Sequence, residues 1–164
     1  MKTHDKLWAP WRHRFIVRSR RATQRCIFCH HVKANHDVKH LILHRRRHAF
    51  SMLNLYPYNN GHVMVAPYRH VARLARMTRE EILDCWELAG HCETLLDRVL
   101  HPHGYNVGLN VGRVAGAGFA GHLHIHIVPR WTGDTNFMPV VGGTKVISQA
   151  LAELYRQLRD ADTR

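Results

Sequence analysis

The sequence predicts an α+β domain: an antiparallel sheet of about five strands with one long central helix and a C-terminal helix. Three observations predict it. Two apolar runs flank Tyr56-Pro57-Tyr58-Asn59-Asn60-Gly61, whose Asn and Gly residues tolerate positive φ, so the pair reads as a hairpin. Thr78-Arg79-Glu80-Glu81 is a capping box that opens a stretch with helical periodicity. The order strand, strand, strand, helix, strand, strand, helix then fits an antiparallel sheet with helices set against it.

Residues 1–25 form a basic N-terminal arm with an aromatic cluster, Leu7-Trp8-Ala9-Pro10-Trp11, suited to packing on the body or on a partner subunit. Residues 26–164 form a single domain. It begins with Cys26-Ile27-Phe28-Cys29 and a polar, His-rich loop to residue 40. Leu41–Leu43 and Ala49–Leu55 are strand candidates, and His62–Ala66 is the return strand of the hairpin, ended by Pro67. Ile82, Cys85, Trp86, Ala89, Cys92, Leu95, Leu96 and Val99 recur at helical spacing, which predicts one amphipathic helix over 79–100. Pro102-His103-Gly104 stops it. Tyr105–Val111 is a strand with Gly108 in its interior, a mark of close backbone or ligand approach. Gly112–Gly121 is a loop of small residues, and Gly121–Arg130 is the last strand. Ile147, Leu151, Leu154, Tyr155 and Leu158 predict a C-terminal helix over 144–160.

The chain has 164 residues, enough for one domain with a real core. It holds no run of about 18 apolar residues, which excludes a transmembrane helix, and its N-terminus lacks the apolar core of a signal peptide. A cytoplasmic protein is the expectation. The formal net charge is +12, with sixteen further histidines. Arg12, Arg14, Arg18, Arg20, Arg21, Arg25 and Arg45-Arg46-Arg47 carry much of it. Polyphosphates, nucleic acid or plain solubility are all compatible with that balance. Nothing beyond charge resembles a nucleic-acid module. Disulfides are not expected among Cys26, Cys29, Cys85 and Cys92 in such a chain. Cys85 and Cys92 fall on the helix and read as small buried hydrophobes. The C-x2-C of Cys26 and Cys29 has the spacing of a metal knuckle, but alone it is half a site.

The segment Gly121-His122-Leu123-His124-Ile125-His126-Ile127-Val128-Pro129-Arg130 carries the chemistry. On a strand it sets three imidazoles in one row and buries Leu123, Ile125 and Ile127 on the other face. A neutral imidazole can attack phosphorus while its neighbours donate hydrogen bonds to the phosphoryl oxygens.

These residues resemble the motif of the histidine triad superfamily: His, apolar, His, apolar, His, apolar, apolar. The likeness extends to Asn54–His62, Val65–His70 and Asn106–Gly112. Leu7–Arg12, Pro129–Trp131, Gly133–Phe137 and Gly142–Ile147 look like the diadenosine tetraphosphate phosphorylase-like branch. The resemblance implies that the protein is an enzyme cleaving dinucleoside polyphosphates, as a phosphorylase giving ATP and ADP. Alternatives are a hydrolase of dinucleoside polyphosphates or nucleoside phosphoramidates, and a non-catalytic nucleotide-binding protein. The implied nucleophile is His124, forming a nucleotidyl-histidine, with His126 hydrogen-bonding phosphoryl oxygens. Asn54, His62 and Asn110 would line the nucleotide site, and Trp131 could stack on adenine or serve packing. The resemblance also implies a homodimer and one structural zinc per chain, held by Cys26, Cys29, His70 and His122. His30 and His31 are rival ligands, awkwardly placed directly after Cys29. One departure stands out. Many relatives carry Ser, Thr or Gln in the loop before the triad, whereas Ala115-Gly116-Ala117-Gly118-Phe119-Ala120-Gly121 offers no side-chain donor. The backbone N–H groups around Gly116 and Gly118 are left to cradle phosphate.

Overall fold

In the computed structural model, residues 26–134 and 147–163 are described. The basic arm, including Leu7–Arg12, and residues 135–146, including Asn136, Phe137 and Gly142–Val146, lie outside them. Two short helices come first, α1 (Ile27–Ala34) and α2 (Asp37–His40). Strands β1 (Ile42–Arg45), β2 (Ala49–Leu53) and β3 (Val63–Pro67) follow, then a 3-10 turn at Leu74–Arg76 and helix α3 (Arg79–Leu100). Strands β4 (Gly104–Leu109) and β5 (Ile125–Arg130) and helix α4 (Leu151–Asp162) complete the chain. The strands form one sheet in the order β1-β2-β3-β5-β4, antiparallel throughout.

Side chains alternate across this sheet, and both faces are covered. Ala49, Leu53, Val63, Val65, Ile125 and Ile127 meet Cys85, Leu88, Ala89, Cys92, Leu95 and Leu96 of α3 and Leu154, Tyr155 and Leu158 of α4. Phe50, Met52, Met64 and Ala66 form a smaller core on the opposite face with Ile42 and Phe28 of α1. Truncating a fully buried Leu, Ile, Met or Phe of these two clusters to alanine costs about 2–5 kcal/mol.

The turn at Gly61 requires glycine. Its φ is +74°, and a Cβ there would lie 2.5 Å from Leu100 Cδ1 and 3.0 Å from Pro129 Cγ. The capping box at Thr78 is formed: Glu81 N–H donates to Thr78 Oγ1 at 3.3 Å and Thr78 N–H to Glu81 Oε2 at 2.9 Å.

Several elements differ from the sequence expectation. Residues 26–40 are not a loop, because burial of Phe28 holds α1 in place without a side-chain N-cap. Asn35 in a left-handed conformation (φ 49°) ends it. Helix α4 begins at Leu151 rather than 144. Just before it, Gln149 donates to Gln157 Oε1 at 2.8 Å, and 3.4 Å away Asn60 donates to Gln149, which leads the chain in sideways. β2 stops at Leu53, since Asn54 Oδ1 accepts the Tyr56 N–H at 2.9 Å and starts a turn. The inward stripe of α3 uses Leu88 and leaves Ile82 and Trp86 exposed.

Candidate active site and metal centre

The three histidines are not one strand row. Only His126 lies in β5; His122 and His124 precede it, in a segment fastened by the Leu123 N–H donating to Val71 O at 2.6 Å. The expected opposite face holds, with Leu123, Ile125 and Ile127 buried. All three rings are buried as well, at 1%, 5% and 8% exposure for His122, His124 and His126. They therefore act in a dry setting, where the neutral ring is favoured. Burial holds His124 below the ordinary histidine range and takes His122 and His126 to about 4.

Partners that can only donate or only accept fix the tautomer of each ring. His124 Nδ1 lies 2.8 Å from the His122 carbonyl oxygen, so Nδ1 carries the proton and donates it. The lone pair of neutral His124 is then on Nε2. At His62, the Tyr58 N–H donates to Nδ1 at 3.0 Å, which puts the ring proton on Nε2. That proton is donated to His126 Nδ1 at 2.9 Å, in a fully buried contact. Neutral His126 consequently carries its proton on Nε2. Asn110 Nδ2 stands 3.2 Å from that atom, and turning the amide by 180° sets Oδ1 there to accept the proton. The constellation thus sets a lone pair on one ring beside a donor on the next, with centroids 4.6 Å apart.

Aromatic rings clamp the pair from both ends. Phe28 of α1 packs against His124 at 4.8 Å and His122 at 5.0 Å, and Tyr58 stacks on His126 at 5.5 Å and covers His62 at 4.7 Å. Gly108 pairs with His126 across β4 and β5, and among the described residues nothing lies within 4 Å of where its Cβ would be. Among the described residues the sheet surface beside His126 is therefore open to a ligand.

Cys26, Cys29, His70 and His122 converge, each offering one ligand atom, all within 4.8 Å of one another. His122 Nδ1 is 3.3 Å from Cys26 Sγ and 3.6 Å from Cys29 Sγ, and His70 Nδ1 is 3.4 Å from Cys29 Sγ. Tetrahedral zinc with ordinary bond lengths implies S···N edges of about 3.6 Å, so the set fits that ion. His122 Nε2 donates to Pro67 O at 2.9 Å, which leaves the lone pair on Nδ1 facing the sulfurs. Arg69 is gripped through both carboxylate oxygens by Glu81, the capping residue of α3, and this anchors the chain next to His70. Gly121 lets the His70 ring approach, since a Cβ there would stand 3.3 Å from His70 Nε2. The rival ligand His31 instead stacks on His40 at 4.2 Å.

Other expected site residues are placed unevenly. Asn54 flanks His62, with its amide nitrogen 3.3 Å from Nδ1, but its oxygen is spent on the Tyr56 turn. The Gly116 N–H donates to Arg113 O at 3.1 Å, which removes one backbone donor from the proposed cradle, and Gly118 sits in the turn that follows. Trp131 follows β5 at the end remote from His124. The six residues of β5 separate them by roughly 20 Å, so one chain does not bring the two together. Phe28 and Tyr58 escaped the sequence reading. Their signals were the position of Phe28 inside the C-x2-C and of Tyr58 four residues before His62.

Sheet, helix and buried imidazole triad define a histidine triad protein. The HIT domain family matches residues 25–133, and the chain belongs to that family. A relative from Mycobacterium tuberculosis named AP-4-A phosphorylase is 45% identical over 122 residues, covering 74% of this chain and 63% of that protein. This chain thus spans less than two thirds of that relative's length. An adenosine 5'-monophosphoramidase from Schizosaccharomyces pombe is 31% identical over 64% of this chain and 74% of its own length. Among solved structures, a Zn-bound histidine triad family protein from Mycobacterium smegmatis has the same fold, with a TM-score of 0.68 and 24% identity over 83% of this chain and 91% of that one. Among the described residues, no helix is long and apolar enough to cross a membrane.

Proposed function

We propose that the protein cleaves dinucleoside polyphosphates by nucleotidyl transfer, and that it splits diadenosine tetraphosphate with inorganic phosphate into ATP and ADP. The observation that carries this reading is the His124 tautomer, locked by the His122 carbonyl with the lone pair on Nε2. The Mycobacterium tuberculosis relative's name supports the choice of substrate. In the first step Nε2 forms a bond to an α-phosphorus and the bond to the bridging oxygen breaks, so ATP leaves. His126 Nε2–H, oriented by His62, donates to the phosphoryl oxygen on which charge builds. In the second step an oxygen of inorganic phosphate takes the α-phosphorus, the P–N bond breaks, and ADP departs with the His124 lone pair restored. With its amide turned so that Oδ1 faces Nε2, Asn110 holds the His126 proton until the ligand takes its place. A net charge of +12 favours anionic partners, which supports phosphate rather than water as the acceptor.

Cys26, Cys29, His70 and His122 would hold one zinc, tying α1 to the segment before β5; zinc supplies a structural tether there. The tether seats Phe28 against His124. Trp131 would serve a ligand long enough to run along the sheet, and a homodimer remains part of this reading. The test is product analysis with diadenosine tetraphosphate. ATP and ADP formed only with phosphate support the proposal. AMP and ATP formed without phosphate would make the protein a hydrolase, and no turnover would leave it a binding protein.

A further inference from the structure

A second cluster of ligating side chains lies on the other face of the sheet from His124. His44 of β1 borders the helix-covered face, beside the buried Ser51, with Nδ1 3.3 Å from Ser51 Oγ. His91 comes from α3, and Asp162 is the last residue of α4. Their reacting atoms converge. His44 Nε2 is 2.6 Å from Asp162 Oδ2, His91 Nε2 is 2.9 Å from Asp162 Oδ1, and the two Nε2 atoms are 3.1 Å apart. All three ligand atoms lie within 4.8 Å of one another.

We propose that His44, His91 and Asp162 form a second site for a divalent transition metal, with zinc the best match. Two imidazole nitrogens and one carboxylate suit zinc better than calcium or magnesium, which prefer oxygen ligands. Without a cation, protons on both Nε2 atoms would set two like N–H dipoles 3.1 Å apart around one carboxylate. With a cation, both lone pairs turn inward and His44 Nδ1–H donates to Ser51 Oγ, the outer hydrogen bond that commonly orients a ligating histidine. Tetrahedral zinc needs N···N and N···O edges of about 3.3 Å. The nitrogens already meet this, and Asp162 must withdraw by roughly half an ångström, which a helix-terminal side chain can do. His91 is 47% exposed, so water completes the coordination. The metal would staple three elements far apart in sequence and fasten α4, which also packs on α3 and β1.

The test counts zinc and is independent of turnover. Chelator-treated protein is titrated with zinc chloride, and bound metal is counted by native mass spectrometry. The proposal requires His91→Ala and Asp162→Asn each to bind one zinc fewer per chain than the unaltered protein, whatever happens at the cysteine cradle. Cys29→Ser must keep this zinc. Zinc at about a hundred times its dissociation constant must also slow amide exchange across residues 151–162 by up to about a hundredfold, and not in His91→Ala. Equal zinc counts in His91→Ala and the unaltered protein would overturn the proposal. So would loss of one zinc in the control His36→Ala, an exposed histidine outside the cluster, since that indicates adventitious binding to surface histidines.

Discussion

Replacing His62 by phenylalanine removes the donor that sets the proton of His126. The two rings meet at 2.9 Å with His62 1% and His126 8% exposed, so no water readily takes over. A buried acceptor left without its donor costs about 1–3 kcal/mol. In either tautomer Nδ1 then faces the phenyl ring unpaired, so nothing holds the proton on Nε2, and the tautomer with Nδ1–H offers a lone pair where the developing charge needs a donor. At 1.4 kcal/mol per factor of ten, kcat should fall by about 10–100-fold. KM should move less, because phosphate charge grows mainly in the transition state. Glutamine at position 62 places an amide N–H near the former Nε2 and should recover most of the loss. Steady-state kinetics with diadenosine tetraphosphate measures both constants, and 15N spectra of the rings report the tautomer. A His62→Phe variant with kcat within about twofold of the unaltered enzyme would refute the reasoning. An unchanged His126 proton position in that variant would do so as well.

Two further outcomes follow from the same geometry. Cys29→Ser should lose the zinc proposed for the cysteine cradle and lower the melting temperature by roughly 10 °C, the equivalent of about 3 kcal/mol. Its kcat should drop too, because α1 seats Phe28 on His124; a calorimetric scan with a metal count checks it. The folded protein holds His126 at about 4 against 6.5 in the unfolded chain. Between those values only the unfolded chain takes up the proton. Stability is thus full above about pH 7 and falls toward pH 4, by about 3 kcal/mol for this ring alone. Urea midpoints at pH 7 and 4.5 should separate accordingly, and equal midpoints would count against a buried neutral His126.

The parts of the fold written in local chemistry were legible from residues alone. The Thr78 capping box, the Asn-Asn-Gly turn and the alternation of Leu123, Ile125 and Ile127 act over a few positions, and the structure keeps them. Helix α1 was not legible, because its stability comes from Phe28 reaching a core built by β2 and β3. Period 2 made His122, His124 and His126 look equivalent. The contacts that part them come from Cys26, Pro67 and His62, between 55 and 96 positions away. The grouping of His44, His91 and Asp162 spans up to 118 positions and left no local pattern.

The central claim is that His124 Nε2 becomes covalently bonded to a nucleotide. Rapid mixing of enzyme with diadenosine tetraphosphate without phosphate, an alkaline quench and peptide mass spectrometry test it directly. The prediction is an adenylyl adduct on His124 in the tryptic peptide 114–130, lost when phosphate is added and absent from His124→Asn. An adduct on another residue, or full turnover in His124→Asn, would contradict the account.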